Sequence, residues 1–398
     1  MSAAPAVSLA VSFVNADIGG HRTSLRLQGQ RILGAGLAPQ GGDRIVDLKG
    51  DRLLPGLINA HDHLQLNDFP QLPYASSYRN AGEWIADFNA RLRNHAAVTA
   101  SAALPRARRL LGGGLKNLLS GVTTVAHHDP LEPLLLAADF PTGVVADFGW
   151  AHSLQVDGAP HVRASCAATA GDRPWIIHAA EGVDASARGE FERLRELGCL
   201  RPNTLLVHAL ALDDMQQREL ADAGAGIIWC PSSNLRLFGR TTDVQPLLAR
   251  GRVALGTDSR LTAAGDLLQE LRVAQRCAGL TEDALERIVT SDSARLLRLE
   301  DRGRLERGAR ADLLILPAGM PLTAARRSDL RLVMLGGEAR YGDREYLHAL
   351  DAPASFSAVE VDGRAKLLQR SLAALLLSGA MAEPGVSVPA VARSAACA

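Results

Sequence analysis

The sequence has few cysteines, and none of them lie close together. The five cysteines are scattered along the chain without CxxC spacing, at Cys166, Cys199, Cys230, Cys277 and Cys397. A disulfide framework usually needs more cysteines, grouped at short intervals. The pattern therefore favours reduced thiols in a cytoplasm over a disulfide-stapled secreted domain.

The chain also lacks an excess of charge of either sign. Lysine plus arginine and aspartate plus glutamate number 43 each. A basic excess would point to nucleic acid, and a strong acidic excess to disorder. With 47% hydrophobic and 22% charged residues, the composition is ordinary for a globular protein. We expect no nucleic-acid partner.

Long apolar runs are missing as well. Charges and glycines interrupt every apolar stretch before it reaches the length that spans a bilayer, and the most apolar late stretch, residues 372–377, is far too short. The first residues, MSAAPAVSLAVSF, lack the positively charged start of a signal peptide. We therefore expect a soluble cytoplasmic protein with no membrane partner.

The length of 398 residues allows one large domain and a smaller one. Residues 1–55 show the pattern of short strands separated by turns. Residues 300–345 show the same pattern again, in ADLLILP and LRLVMLGGEAR. We predict that these two segments form one composite small β domain. Residues 56–299 are predicted to form a barrel, and residues 346–398 a C-terminal helix, over 361–377, and a tail.

Strand-like and helical patterns alternate through the predicted barrel, as in a fold built from βα units. The predicted strands are GLINA, GVTTVA, GVVADF, PWIIHA, TLLVHA, GIIWCP and RVALGTD. A (β/α)8-type barrel needs eight strands, and this set is one short. The missing strand is expected between residues 142 and 175, where FGWAHSL is a candidate.

Polar residues of the metal-ligand type follow several of these strands. His61 and His63 end the first one, and residues two apart on a strand share a face. Alone, such a pair could be ordinary surface or hydrogen-bonding histidines. His178, His208 and Asp258 also end apolar strands, however, and a parallel barrel gathers these ends at one mouth. Imidazole and carboxylate ligands suit zinc, with iron or manganese as alternatives.

The ordered motifs PGLINAHDH, GVTTV, IHAAE, LLVHA, CPSSNLRL, LGTDS and GRLERGARADLLIL resemble the amidohydrolase superfamily over residues 8–345. The likeness is greatest to its single-metal branch, which includes cytosine and guanine deaminases and triazine hydrolases. It implies an α/β fold, a TIM-like and somewhat distorted (β/α)8 barrel with a small β-sandwich domain made from both chain ends. GVTTVA ends without a lysine, which disfavours the carbamylated-lysine, two-metal branch.

The resemblance also assigns roles to residues of this sequence. It makes His61, His63, His178 and Asp258 the ligands of one divalent metal ion. Glu181, three residues after His178, matches the proton-shuttling glutamate, and His208 matches the histidine that contacts substrate or the attacking water. Alternatively, Glu181 is a solvated carboxylate on a loop, with no part in catalysis.

A mechanism follows from these groups. The metal would lower the pKa of a bound water toward about 7 and so supply hydroxide, which Asp258 would orient or deprotonate. Glu181 would carry a proton to the ring or leaving group. His208 would polarise the electrophile.

Weaker candidates surround this set. His152 matches a position where the family often places a substrate-binding histidine, and Gln65, Tyr74 and Trp84 lie on an insertion after the first strand. Packing of the insertion explains Trp84 equally well. Arg236, like Arg260 after the last strand, could bind an anionic substrate group, or could pair with local acids or face solvent. His127, His128 and Asp129 could touch the pocket or support it.

The leading hypothesis is therefore an aminohydrolase, or deaminase, that attacks a cyclic C–N bond of a small molecule. Alternatives on the same fold are a hydrolase of amide rings such as imidazolones and a halide-releasing hydrolase. A non-catalytic metal- or ligand-binding barrel is a hypothesis of another class, against which the presence of both Glu181 and His208 argues. A homodimer is left open.

Overall fold

The computed structural model of the protein describes residues 9–71, 77–350 and 352–389. Its strands, in chain order, are β1 (Ala10–Ile18), β2 (His21–Gln28), β3 (Arg31–Ala35), β4 (Arg44–Asp47), β5 (Arg52–Pro55), β6 (Leu57–Asp62), β7 (Val122–His127), β8 (Gly143–Val144), β9 (Gly149–Ala151), β10 (Trp175–Ala179), β11 (Thr204–His208), β12 (Gly226–Trp229), β13 (Val253–Leu255), β14 (Leu313–Leu316), β15 (Leu332–Leu335), β16 (Glu338–Gly342), β17 (Phe356–Val361), β18 (Arg364–Gln369) and β19 (Val386–Ser387).

The α-helices are α1 (Ala81–Asn94), α2 (Ala96–Ala103), α3 (Arg106–Leu119), α4 (Leu154–Ala168), α5 (Ala185–Glu196), α6 (Asp214–Asp222), α7 (Pro231–Phe238), α8 (Gln245–Leu248), α9 (Leu267–Ala278), α10 (Glu282–Ile288), α11 (Ser291–Leu296), α12 (Arg344–Ala349) and α13 (Arg370–Ser378). Short 3₁₀ helices lie at Leu64–Leu66, Pro133–Leu136, Arg327–Asp329 and Pro353–Ser355. None of the helices in the described ranges combines the length and the apolar character needed to cross a bilayer.

The chain divides into two compact units. The first unit comprises Met1–Leu57, Leu118–Thr123 and Glu300–Ala398, and the second comprises Ile58–Asn117 and Thr124–Leu299. The first unit thus takes in both chain ends, including the segment after residue 345 that the sequence pattern set apart.

A single sheet dominates the first unit. Its strand order is β19-β17-β18-β16-β15-β14-β5-β1-β2-β3, with β4 paired to β1. The N-terminal strands join the later strands of this sheet where β5 pairs antiparallel with β14, which places Leu53 opposite Ile315. Alternate residues of these strands, such as Leu25 and Leu27 of β2, are buried in the core of this unit.

The C-terminal segment differs from the predicted helix over 361–377. The helix α13 covers only its later part, and the earlier part belongs to the antiparallel hairpin of β17 and β18. Asp362 and Gly363 form the turn, with φ values of 49° and 79°. An Asp-Gly pair between two short strands is a strong hairpin signal, because both residues must adopt positive φ. That local signal outweighs the helical spacing of the apolar residues.

The second unit is α/β with parallel strands. One sheet has the order β13-β12-β11-β10-β9, and every pairing in it is parallel. A smaller sheet has the order β6-β7-β8. Each of the seven predicted strand motifs overlaps one of these strands. The additional strand is β9, which lies inside FGWAHSL. It has only three residues, too few to show an alternation of apolar and polar residues in the sequence.

Buried apolar residues of these strands form the core of the second unit. They include Ile58, Ala126, Ile176, Val207 and Ile228 from β6, β7, β10, β11 and β12. The helices add their apolar faces, as α9 does with Leu267, Leu271 and Ala274, which recur at helical spacing. Because this core is closely packed, it holds the carboxyl ends of the strands in fixed positions.

Candidate metal and active site

Three histidine rings converge in the second unit. His61 lies near the end of β6, His63 follows it, and His178 lies on β10. The Nε2 atom of His178 is 3.2 Å from Nε2 of His61 and 3.3 Å from Nε2 of His63. One ligand atom from each ring lies within 4.8 Å of the other two. The three lone pairs can therefore share one ion.

The chemistry of this set fits a divalent metal. Burial lowers the pKa of His61 and of His178 well below 6.5, so both rings are neutral and can donate a lone pair. The Oδ1 atom of Asp258 lies 4.0 Å from Nε2 of His63. Three imidazoles and one carboxylate are a donor set that zinc and related ions take in proteins.

Hydrogen bonds on the far side of two rings fix their orientation. The Nδ1 of His178 donates to the carbonyl oxygen of His152 at 2.8 Å, and the Nδ1 of His63 donates to Oδ2 of Asp129 at 2.8 Å. Burial lowers the pKa of His63, but the hydrogen bond and charge of Asp129 outweigh it and raise that pKa to about 9. Each bond places a proton on Nδ1 and leaves Nε2 facing the centre. Because the pKa of His63 is raised, its Nε2 must release a proton when a metal ion binds.

Glu181 and His208 lie beside the three histidines, and both are buried. The Nε2 atom of His208 is 3.8 Å from Oε2 of Glu181 and 3.9 Å from Oδ2 of Asp258. Its Nδ1 is 2.8 Å from Oδ1 of Asn234, which fixes the ring. Burial raises the pKa of Glu181 above its usual value, so this carboxyl holds a proton more readily than an exposed one.

Asp258 is positioned by groups that the sequence motifs did not single out. The hydroxyls of Ser233 and Thr262 both donate to its Oδ2, at 2.8 and 2.9 Å. The backbone N–H of Asp258 donates to the carbonyl oxygen of His61 at 3.0 Å. Serine and threonine are too common in loops for such roles to be read from one sequence.

Several residues at these strand ends adopt the left-handed backbone conformation. His208 has a φ of 68° and Asp258 a φ of 53°. Ala180, which precedes Glu181, and Ala209, which follows His208, have φ values of 54° and 49°. This conformation costs roughly 1–2 kcal/mol for a residue with a Cβ atom. Backbone strain of this kind clusters at functional sites, where the surrounding structure enforces it.

The site opens into a cavity of about 170 Å³. Three residues predicted to contact the substrate, Gln65, Trp84 and His152, line it together with His63, His178, Glu181, His208 and Asp258. Gln65 donates to Oδ2 of Asp129 at 2.7 Å, and Trp84 donates to Oε1 of Glu181 at 2.9 Å. The insertion after β6 therefore supplies part of the cavity wall.

The predicted arginine contacts are not brought to this cavity. Arg236 is exposed on α7, because its position on the helix faces outward while Ser233, Asn234 and Leu237 face inward. Arg260 is not among the lining residues either. Tyr74 lies outside the described residues.

His127 and His128 are buried, and neither lines the cavity. The ring of His128 stacks on that of His178 with centroids 4.5 Å apart. Asp129, the third weaker candidate from the same loop, both lines the cavity and holds His63.

Comparisons with known proteins point to one superfamily. The model of the amidohydrolase family matches residues 160–340. A curated relative named 5-methylthioadenosine/S-adenosylhomocysteine deaminase, from Halobacterium salinarum, is 28% identical over 79% of this chain and 87% of its own length. A protein of the same name from Haloarcula marismortui is 30% identical over 41% of this chain and 42% of its own length.

Solved structures share the fold. The zinc complex of an atrazine chlorohydrolase from Arthrobacter aurescens, with atraton bound, has a TM-score of 0.69 at 19% identity, covering 84% of this chain and 96% of that one. An adenosine deaminase from Xanthomonas campestris with bound zinc has a TM-score of 0.69 at 18% identity, covering 87% and 97%. The family match and the named relatives support a hydrolase of the amidohydrolase superfamily that acts on carbon–nitrogen bonds other than peptide bonds, and the solved structures show that the fold is shared.

Proposed function

We propose that this chain is a single-metal aminohydrolase that replaces an amine on an electron-poor ring by oxygen. The observation that carries the proposal is that a buried glutamate, Glu181, and a buried histidine, His208, face the centre formed by His61, His63 and His178 from within one cavity. A metal-binding protein without activity would have no need of a proton carrier at this point.

The residues divide the chemistry among themselves. A divalent ion held by His61, His63, His178 and Asp258 would act as a Lewis acid that makes water a nucleophile at neutral pH. Asp258, held by two hydroxyls through Oδ2, accepts a proton from that water. Glu181 delivers a proton to a ring nitrogen, which makes the neighbouring carbon electrophilic.

His208 directs its Nε2 toward the oxygen that adds to this carbon and, when that nitrogen carries a proton, donates to the oxygen and stabilises the charge that develops there. A carbon–oxygen bond forms, the carbon–nitrogen bond breaks as the amine takes up the proton held by Asp258, and the proton left on the added oxygen returns to Glu181 as the ring carbonyl forms. Ammonia and the ring carbonyl are the products. The raised pKa of Glu181 suits a group that must hold a proton and give it up within one cycle.

The cavity indicates which substrates fit. Leu66, Ala81, Ile85 and Val156 form an apolar wall, which suits a ring or thioether. The carboxylates that line the cavity are Asp129, Glu181 and Asp258. None of the described lining residues is a lysine or arginine, and the sequence of residues 72–76 contains neither. We infer an uncharged ring substrate of the adenosine or 5′-thioadenosine type, the class that the names of the relatives suggest.

A halide-releasing or ring-opening hydrolase is the second candidate, supported by the fold shared with the atrazine chlorohydrolase. The same proton carrier would activate a triazine ring, so the metal centre does not separate the two. The leaving group does, because chloride or an open ring would replace ammonia as the product.

We also propose that the strands of the second unit close into a distorted (β/α)8 barrel. The eight strands β6–β13 are in the right order, and the bond from Asp258 N–H to the carbonyl oxygen of His61 joins the ends of the first and last. We further propose that the first unit is the small β-sandwich domain and that the ion is zinc. A cytoplasmic location and a homodimer remain predictions.

The test combines metal analysis with product detection. Purified protein loaded with zinc is assayed for ammonia against adenosine, 5′-methylthioadenosine, guanine, cytosine, pterins, triazines and imidazolones. We expect close to one equivalent of bound metal and ammonia release from at least one adenine nucleoside. Bound metal with chloride release or ring opening alone would favour the second candidate, and absence of bound metal would overturn the proposal.

A further inference from the structure

A fully buried ion pair lies next to the metal ligands. The Nζ of Lys116, on α3, is 2.8 Å from Oδ2 of Asp62, and both side chains have no solvent exposure. Lys116 also donates to Oδ1 of Asn67 at 2.8 Å and to Oγ1 of Thr257 at 3.3 Å. The amide of Asn117 donates to the same Asp62 oxygen at 2.8 Å. The sequence motifs and the proposed mechanism use none of these contacts.

The position of Asp62 explains why the pair matters to the site. Asp62 is the last residue of β6, between His61 and His63, and its side chain points to the opposite face from that of His61. Asp62 reaches Lys116 and Asn117 of α3, while the two histidines reach His178. The ion pair therefore fixes the strand end that carries two proposed ligands.

The same cluster reaches the segment that carries the carboxylate ligand. The amide of Asn59 donates to Oγ1 of Thr257 at 2.8 Å and accepts the backbone N–H of Thr257 at 3.0 Å. Thr257 immediately precedes Asp258. A Cβ atom at Gly256 would lie only 2.7 Å from Cβ of His61, so glycine is needed for this close approach.

We infer that Lys116, Asp62, Asn59, Asn117 and Thr257 form a positioning cluster that sets the distance between the two histidines of β6 and Asp258, and thereby the affinity of the site for its metal. The inference rests on the proposed metal site but not on the substrate. None of the five residues lines the cavity, so each acts through the ligands beside it.

The cost of burying these charges supports a role beyond packing. Replacing a buried ion pair by apolar side chains of similar volume is often neutral or stabilising, so such a pair is weak support for stability alone. Polar groups that hold metal ligands in place, by contrast, typically change metal affinity by about 10- to 100-fold when they are removed. Because the cluster contacts the segments that carry the proposed ligands, we expect its removal to change metal affinity in this way.

The test measures zinc affinity of the full-length protein by competition with a chromogenic chelator. Lys116→Met, which keeps the length but removes the charge, should weaken zinc binding by about tenfold or more. Thr257→Val removes one hydroxyl with little change of shape and should weaken binding in the same direction. Turnover lost in either variant should be restored by excess zinc, which a purely structural defect would not allow.

Lys366→Met is the matched control. Lys366 is also buried and paired with a carboxylate, Asp343, at 2.5 Å, but it belongs to the first unit. We expect it to lower the melting temperature without changing zinc affinity. Unchanged affinity in Lys116→Met would overturn the inference, as would unchanged affinity in Thr257→Val if Lys116→Met does not fold. A wild-type protein that binds no zinc would instead overturn the metal site itself.

Discussion

The indole Nε1 of Trp84 donates a 2.9 Å hydrogen bond to Oε1 of Glu181. Trp84 lies on α1, in the insertion after β6, and Glu181 follows β10. The backbone reinforces the contact, because the N–H of Ala81 donates to the carbonyl oxygen of Glu181 at 3.0 Å. Burial raises the pKa of Glu181, and the bond from Trp84 opposes that rise. The insertion therefore tunes the proposed proton carrier as well as enclosing it.

Trp84→Phe should change the pH dependence of turnover. The substitution keeps an aromatic wall but removes the donor, so the pKa of Glu181 rises further and the limb of the kcat–pH profile that depends on it moves to higher pH. We expect the limb to move by about one pH unit, since a hydrogen bond to a charged group contributes roughly 1.5 kcal/mol. Trp175→Phe, which removes an indole bond to Ser165 instead, should leave the profile in place. An unshifted limb in Trp84→Phe would separate Trp84 from the ionisation of Glu181.

Glu181→Gln should abolish most activity without removing the metal. Glutamine keeps the size of the side chain but cannot carry a proton, so we expect turnover to fall by roughly two orders of magnitude or more. Metal content, measured by elemental analysis, should match that of the wild type. Glu196→Gln, on the exposed side of α5, serves as the surface control. Near-normal turnover in Glu181→Gln would remove this residue from the mechanism.

The enzyme should distinguish substrates by charge. S-adenosylhomocysteine carries an ammonium and a carboxylate that 5′-methylthioadenosine lacks, and the described cavity wall offers this carboxylate no lysine or arginine. We expect kcat/KM to be roughly tenfold or more higher for 5′-methylthioadenosine, because a charge that enters the cavity unpaired loses its hydration.

Val156→Arg provides a gain-of-function check of this preference. Val156 lines the cavity and is 54% exposed, so a guanidinium placed there can reach both the substrate and water. The variant should lower KM for the carboxylate-bearing substrate, whereas Val156→Met should not. Equal kcat/KM for both substrates in the wild type would contradict the proposed preference.

Glu270 should make folding stability fall as pH rises. Burial raises the pKa of this carboxyl to about 8, even though Ser232 donates to it. The folded protein therefore holds a proton that the unfolded chain releases above about pH 4.5, so this stabilising contribution is complete at lower pH and is lost on approaching pH 8. Between these limits the slope is at most about 1.4 kcal/mol per pH unit.

Urea unfolding of the wild type and of Glu270→Gln at several pH values between 5 and 8 measures this slope. Glutamine cannot ionise, so the difference in free energy of unfolding between the two proteins should change with pH in favour of the variant. A constant difference across the range would show that Glu270 does not titrate there.

The sequence predicted the strand ends better than the lengths of the elements. The polar residues at the ends of GLINA, PWIIH and TLLVH lie where parallel strands bring them together, because buried apolar runs are strong local signals. β9, at Gly149–Ala151, is too short for such a signal. The apolar residues of the hairpin around Asp362 and Gly363 also fit helical spacing, so periodicity alone predicts a helix there. Turn chemistry, rather than periodicity, decides that segment.

Residues that act through others were the hardest to predict. The convergence of His61, His63 and His178 follows from their motifs, but Lys116 lies on a helix far away in sequence, within LLGGGLKNLL. A lysine in such a helix ordinarily reaches solvent. Arg236 is the opposite case, since the motif around it suggested a substrate contact while its place on α7 turns it outward. Only the three-dimensional packing distinguishes a buried basic residue such as Lys116 from an exposed one such as Arg236.

The left-handed conformations of Ala180 and Ala209 restrict how this family member can drift in sequence. Glycine or asparagine can replace either alanine, because both tolerate positive φ. Valine, isoleucine or threonine at the same place would push the backbone out of that region and carry Glu181 or His208 with it. A relative with such a substitution would lose activity even though its sequence still contained every proposed catalytic residue.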